Sequence, residues 1–245
     1  MTHLTRRLRD DQEKEIETMT THLFRIMGRH APPSPQGERQ MKAQMHDFMD
    51  GNGPVPAHIH PRGGGWVADT AHVDKSAHIG PDARVFGDAW VSGDAWVCGS
   101  ARVHGDARVY GDALVRDNAW VYGDAKVCGD AQVFGNAWVH DNALVHDDAL
   151  VHGDALVYGN ALVYGNARVY GDARVKRGVY TSTPTSITRS DGYMFTLQSD
   201  GSIVAGCCDF TPDEAKAHWG NPEHHKHRES MAIISAFNAI QTARS

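Results

Sequence analysis

The chain has 245 residues and a formal net charge of −6. That balance argues against a nucleic-acid partner, and no apolar run is long enough to cross a membrane or act as a secretory leader. Cys98, Cys128, Cys207 and Cys208 follow no framework spacing, so a reducing, cytoplasmic setting is expected.

Three regions follow in order: residues 1–65, 66–176 and 177–245. In the first, Asp10–Met27 reads as an amphipathic helix, with Ile16, Met19, Leu23, Phe24 and Met27 on one face and Gly28 as its stop. Ala31–Gln36, with three prolines, reads as a linker. Glu38–Met49 reads as a second helix, ended by Asp50-Gly51-Asn52-Gly53. The helical segment is expected to cap an open end of the next region; alternatively, Ile16, Met19, Leu23 and Ile26 form a short heptad seam for oligomerisation. Gly63-Gly64-Gly65 reads as a flexible joint without the context of a phosphate loop.

The second region is a repeat. An alanine stands at every sixth residue from Ala71 to Ala173, and the residue two places later is Val each time except Ile79, which makes 18 hexads in one phase. Alternation of Ala, x, Val, x is a short strand with Ala and Val facing one way. The Gly-Asp or Gly-Asn that follows is turn chemistry. A unit this small cannot bury its own apolar side, so neighbours must stack into a parallel β-solenoid.

In the third region, Met194–Leu197 and Ile203–Ala205 read as strands about Ser199-Asp200-Gly201. Thr211-Pro212-Asp213-Glu214 is a helix start leading to about Trp219. A last helix, about Arg228–Thr242, is expected to cover the far end of the solenoid.

The Ala-x-Val hexads resemble those of the bacterial hexapeptide-repeat proteins, and more narrowly the regular GDAxVxGDAxV chains of phage and bacterial genomes that carry a transferase label on repeat content. The resemblance covers the repeat region. It implies a left-handed parallel β-helix with three hexads per triangular coil, hence six coils, mainly β, flanked by an N-terminal helical segment and a small C-terminal α+β cap. One departure is that Gly falls two places after Val, where many members have it one place after. With three hexads per coil, residues 18 apart stack on one face and residues 6 apart lie on different faces.

Interior positions are then Ala and Val almost without exception, so function must sit on the outward residues or the caps. Sorting by 18 gives a column Phe86, His104, Tyr122, His140, Tyr158 beside Arg84, Arg102, Trp120, Trp138, Leu156 and Arg174. Aligned rings stabilise a sheet by cross-strand contact, but contiguous exposed apolar surface marks interaction sites. Arg102, His104, Trp120, Tyr122, Trp138 and His140 are the candidate binding residues. The resemblance implies a homotrimer packed along such prisms; contact with another partner or a small ligand, and a merely solvated ladder, are the alternatives. An oligomeric, non-catalytic scaffold of phage or mobile-element type is the favoured reading, with no cofactor.

The alternative is an acyltransferase. The resemblance implies acyl-CoA, acetyl-CoA for example, in a groove between prisms and a histidine base near a subunit interface. His140 and His146, each followed by an aspartate, are the candidate bases. That family often interrupts its helix with a pocket-building loop, and this repeat has none. No metal is expected. His140, His146 and His152 fall on three different faces, and the repeats lack the His-x4-His pair of the hexapeptide-type carbonic anhydrases. Cys207 and Cys208 with His218, His224, His225 and His227 lack the usual ligand spacing. The column Asp94, Asp112, Asp130, Asp148 reads as turn residues, not a cation site.

Overall fold

A computed structural model describes residues 44–223 and 225–244. The expected Asp10–Met27 helix, the proline linker and His224 lie outside these residues. Within them the fold is mainly β: a solenoid of about six turns, a small antiparallel sheet and two helices.

Alternation does what it should. Each hexad contributes a two-residue strand, such as Lys126–Val127, with the first residue outward and the second fully buried. Every repeat Val from Val85 to Val175 has zero exposure, and the alanines between them are at most 3 % exposed. Together they form one core running the length of the solenoid. Pairing is parallel with a register of 18: Arg102 with Trp120, Arg108 with Lys126, Leu114 with Gln132. The strands fall into three series, here called face one (Trp66, Arg84, Arg102, Trp120, Trp138, Leu156), face two (His72 to Leu162) and face three (His78 to Arg168). Corner glycines take positive φ; Gly123 does so at 67°, and a Cβ there would press on the Asp141 amide at 3.0 Å.

Regularity ends at the sixth coil. Leu156–Val163 runs through the Gly159-Asn160 corner as one eight-residue strand and pairs with Arg174–Tyr180 across a bulge.

The N-terminal edge departs from expectation. Residues 44–49, assigned above to the end of the Glu38–Met49 helix, contain a strand instead. β1 (Gln44–His46) pairs antiparallel with β2 (Val55–Ile59), and β2 with β3 (Trp66–Ala68), the first strand of face one. Tertiary packing overrides helical pattern here: Ala68 is small, and buried Phe48 fills the space above it against Phe86. Gly63-Gly64-Gly65 is a held turn, not a flexible joint. Gly63 and Gly64 need positive φ, the Gly64 amide donates to His60 O at 3.1 Å, and Gly65 donates to Ile79 O at 2.8 Å. Gly65 stands where the repeat has Ala because a Cβ would run into the Gly80 carbonyl.

At the far end the expected strands are joined by Ser186–Thr188 and Cys208–Phe210. Thr211 caps the Pro212–Trp219 helix with Glu214 in a capping box. The last helix is His227–Arg244. It does not lie on the solenoid; it covers the sheet, and the sheet covers the solenoid. Phe195 and Leu197 join Ile233, Ile234 and Phe237 in a separate core, while Met194 packs against the solenoid interior. From the same strand Thr196 Oγ1 accepts the Arg174 amide at 3.2 Å. Buried Gln198 closes the remaining edge: its Nε2 donates to Arg174 O at 2.8 Å, and its Oε1 accepts from Lys176 N at 2.9 Å and Tyr180 Oη at 3.1 Å. The last coil would otherwise leave these backbone groups unpaired.

Burial pushes the Tyr180 phenol up to about 12. A raised pKa means its contribution is complete below the unfolded value near 10 and is lost as pH climbs through the folded one. Stability is therefore expected to fall by roughly 2 kcal/mol between pH 10 and 12, and Tyr180→Phe should flatten that slope while lowering stability at neutral pH. Chemical unfolding at pH 8, 10 and 11.5 reads both effects.

Candidate functional site

Face one carries the candidate binding residues, and the 18-residue register brings them together; His146 stands on face two. Phe48, Phe86, His104, Tyr122, His140 and Tyr158 make one continuous ring stack, with successive centroids 4.9, 4.6, 5.0, 4.8 and 5.3 Å apart. Beside it Trp120 and Trp138 stack at 5.3 Å, and the Arg102 guanidinium lies over Trp120 at 4.7 Å. Offset stacks and a cation over an indole each add to cross-strand pairing. The stack is half-buried in itself, and Trp138 remains 39 % exposed. His104 sits deep in it: burial first, then Arg102, lowers its pKa, so the ring is neutral at neutral pH. Its Nε2 is buried with no hydrogen-bond partner among the described residues.

Exposed apolar surface is not confined to this face. Trp90 and Tyr110 on face two and Trp96 and Tyr170 on face three are also exposed, and Trp90, Arg108, Tyr110 and Lys126 line a groove of about 270 Å³. Face one differs in the continuity of its ring stack, which begins with Phe48, from outside the repeat.

His140, His146 and His152 stand on three faces, as the 18-residue register requires, each stacked on a tyrosine of the next coil. Among the described residues no group of three or more His, Cys, Asp or Glu side chains is placed to hold a metal ion. The Cys207 and Cys208 sulfurs are 3.7 Å apart and exposed at a hairpin tip.

The role of the aspartates after His140 and His146 was not read from the sequence. Asp117, Asp141 and Asp147 occupy the corner glycine position at φ 57–61°. One carboxylate oxygen of each accepts the backbone amide 18 residues on: Gly135 at 3.1 Å, Gly159 at 3.0 Å, Gly165 at 3.3 Å. In Asp141 and Asp147 the other oxygen, Oδ1, meets the preceding histidine, His140 at 3.1 Å and His146 at 2.9 Å, whereas in Asp117 the same Oδ2 that accepts the Gly135 amide also accepts from Arg116 at 2.9 Å. An aspartate tolerates this left-handed backbone and replaces the glycine with a brace between coils. The sequence signal was an Asp in the Gly column with a Gly 18 residues later.

The histidine contact first, and the Gly159 amide as well, holds the Asp141 carboxyl below its ordinary range. A depressed pKa means the brace is complete above the unfolded value near 4 and is lost as pH falls through the folded one. Asp141→Ala is expected to cost about 1 kcal/mol, discounted for exposure, and Asp141→Gly less because glycine accepts the backbone angle. Thermal melts at pH 7 and 3 check both, and the two variants should converge towards the parent at the lower pH.

A family model described as YdcK Beta solenoid repeat matches residues 107–123 and 155–169, two stretches inside the hexad region. The chain is similar to that repeat there. No curated protein and no solved structure matches. Fold and match together define the class, a β-solenoid protein. No helix among the described residues is long and apolar enough to cross a membrane.

Proposed function

We propose that this protein is an oligomeric β-solenoid scaffold, a homotrimer, whose copies meet through the outer side of face one around Trp120, Trp138, Tyr122 and His140. One observation carries the reading: a ring stack running from Phe48 to Tyr158 beside a partly exposed tryptophan pair. A rigid, pre-ordered apolar strip loses little side-chain entropy on contact and gains by leaving water. At the far end the antiparallel sheet pairs the last coil's backbone, which disfavours end-to-end growth there.

A second reading, the acyl-CoA-dependent transferase, draws support from the His140–Asp141 and His146–Asp147 contacts. A carboxylate at Nδ1 leaves Nε2 as a base. Against it, both carboxylates are already engaged in bracing the next coil. Calorimetric titration with acetyl-CoA separates the readings. A scaffold gives no saturable heat at near-millimolar ligand. Micromolar binding with one site per chain, together with turnover lost in His140→Ala or His146→Ala, would replace the scaffold with the enzyme.

A further inference from the structure

The upper end of face one holds two arginines in direct register, Arg84 and Arg102. Strand spacing puts their backbones about 4.8 Å apart. The arginine ion pairs among the described residues belong to Arg116, Arg177 and Arg189, and none to Arg84 or Arg102. Both heads are nonetheless held: Arg84 Nη1 donates to Phe48 O at 3.2 Å, and Arg102 lies over Trp120. Burial, and then the charge of Arg84, lowers the Arg102 pKa.

The two arginines line a groove of about 330 Å³ together with Trp66, His46, Asp82 and Ser100. This is near the lower end of small-ligand sites. Trp66 and His46 stack at 4.1 Å, 11° from parallel, and form one side of the groove. His46 Nε2 is buried there with no hydrogen-bond partner among the described residues.

Ser100 is the independent sign. From Asp82 to Asp172 every corner position of this type is Asp or Asn except Ser100. The repeat thus places a serine, where it elsewhere has Asp or Asn, at the corner just before Arg102, while the Asp82 corner on the same groove keeps its carboxylate. The earlier exceptions have a structural use, since Thr70 and Ser76 donate to the carbonyls of Gly87 and Gly93. Ser100 is exposed and makes no such bond among the described residues.

We propose that this groove binds a small phosphate monoester bearing a flat ring, of the nucleoside monophosphate class. Two guanidiniums match a dianion and present paired N–H donors to its oxygens. The Ser100 hydroxyl adds a donor. The ring lies against the Trp66–His46 side, and Asp82 accepts an N–H or O–H of the ligand. The proposal rests on face one being a binding surface but not on self-association, because the groove is complete within one chain.

The test is calorimetric titration of the full chain with adenosine monophosphate and with inorganic phosphate. The monophosphate should bind saturably, at least roughly tenfold tighter than inorganic phosphate, and weaken as salt rises. Ser100→Asp restores the residue the repeat favours, so it should fold normally, and it should weaken binding at least roughly tenfold. Arg84→Ala/Arg102→Ala should abolish it. No saturable binding at about 10 mM, equal affinity for the two ligands, or unchanged affinity in Ser100→Asp would each overturn the proposal. Association is read separately, by sedimentation equilibrium without ligand, so failure of one reading is distinguishable from failure of the other.

Discussion

Gln198→Leu is expected to lower the unfolding free energy by about 3–5 kcal/mol. Gln198 is 1 % exposed, and its amide is the partner of the Arg174 carbonyl, the Lys176 amide and the Tyr180 hydroxyl. Leucine fills a similar volume but pairs none of them. Each orphaned buried group costs roughly 1–3 kcal/mol. Solenoid coils are coupled mainly to their neighbours, so damage should begin locally. Hydrogen exchange should accelerate first across residues 156–180, while the amides of residues 100–140 stay protected. Urea unfolding measures the total. A loss under about 1 kcal/mol would mean that the sheet does not seal the last coil.

Val127→Asp is expected to abolish the folded state or cost more than about 4 kcal/mol. Val127 has zero exposure and sits in a core of valines and alanines, where a carboxylate would find neither water nor a partner. The neighbouring Lys126→Asp should stay within about 0.5 kcal/mol of the parent, because Lys126 is exposed. Two adjacent residues with opposite outcomes are the energetic signature of the inward-outward alternation. Circular dichroism melts of the pair suffice. Equal tolerance at both positions would contradict the register.

Much of this was legible in the repeat. Period six told which residues face inward; which of them stack came from the three-hexad coil that the family resemblance implies, and Trp120 on Trp138 and His104 on Tyr122 follow from it. Thr211 to Glu214 announced their helix because capping is local chemistry. The N-terminal hairpin was not legible. Residues 44–49 have a helical pattern, and what draws them into a strand is a space above Ala68 that exists only once the coils are stacked. The Asp141 and Asp147 braces were missed for a related reason: their partners are 18 residues away, and the neighbouring histidines drew attention to chemistry within one hexad. Of the site, the columns could be read, but not how much of each ring the stacking leaves exposed. Trp90 and Trp96 prove more exposed than Trp138.

The most direct measurement is sedimentation equilibrium of the parent chain beside Trp138→Glu. The scaffold reading expects the parent at three times the 26.8 kDa chain mass, and the variant, correctly folded by circular dichroism, reduced to the single chain by a charge placed in the apolar strip. A monomeric parent, or a trimer indifferent to Trp138→Glu, would contradict the assignment of face one as the surface through which copies meet.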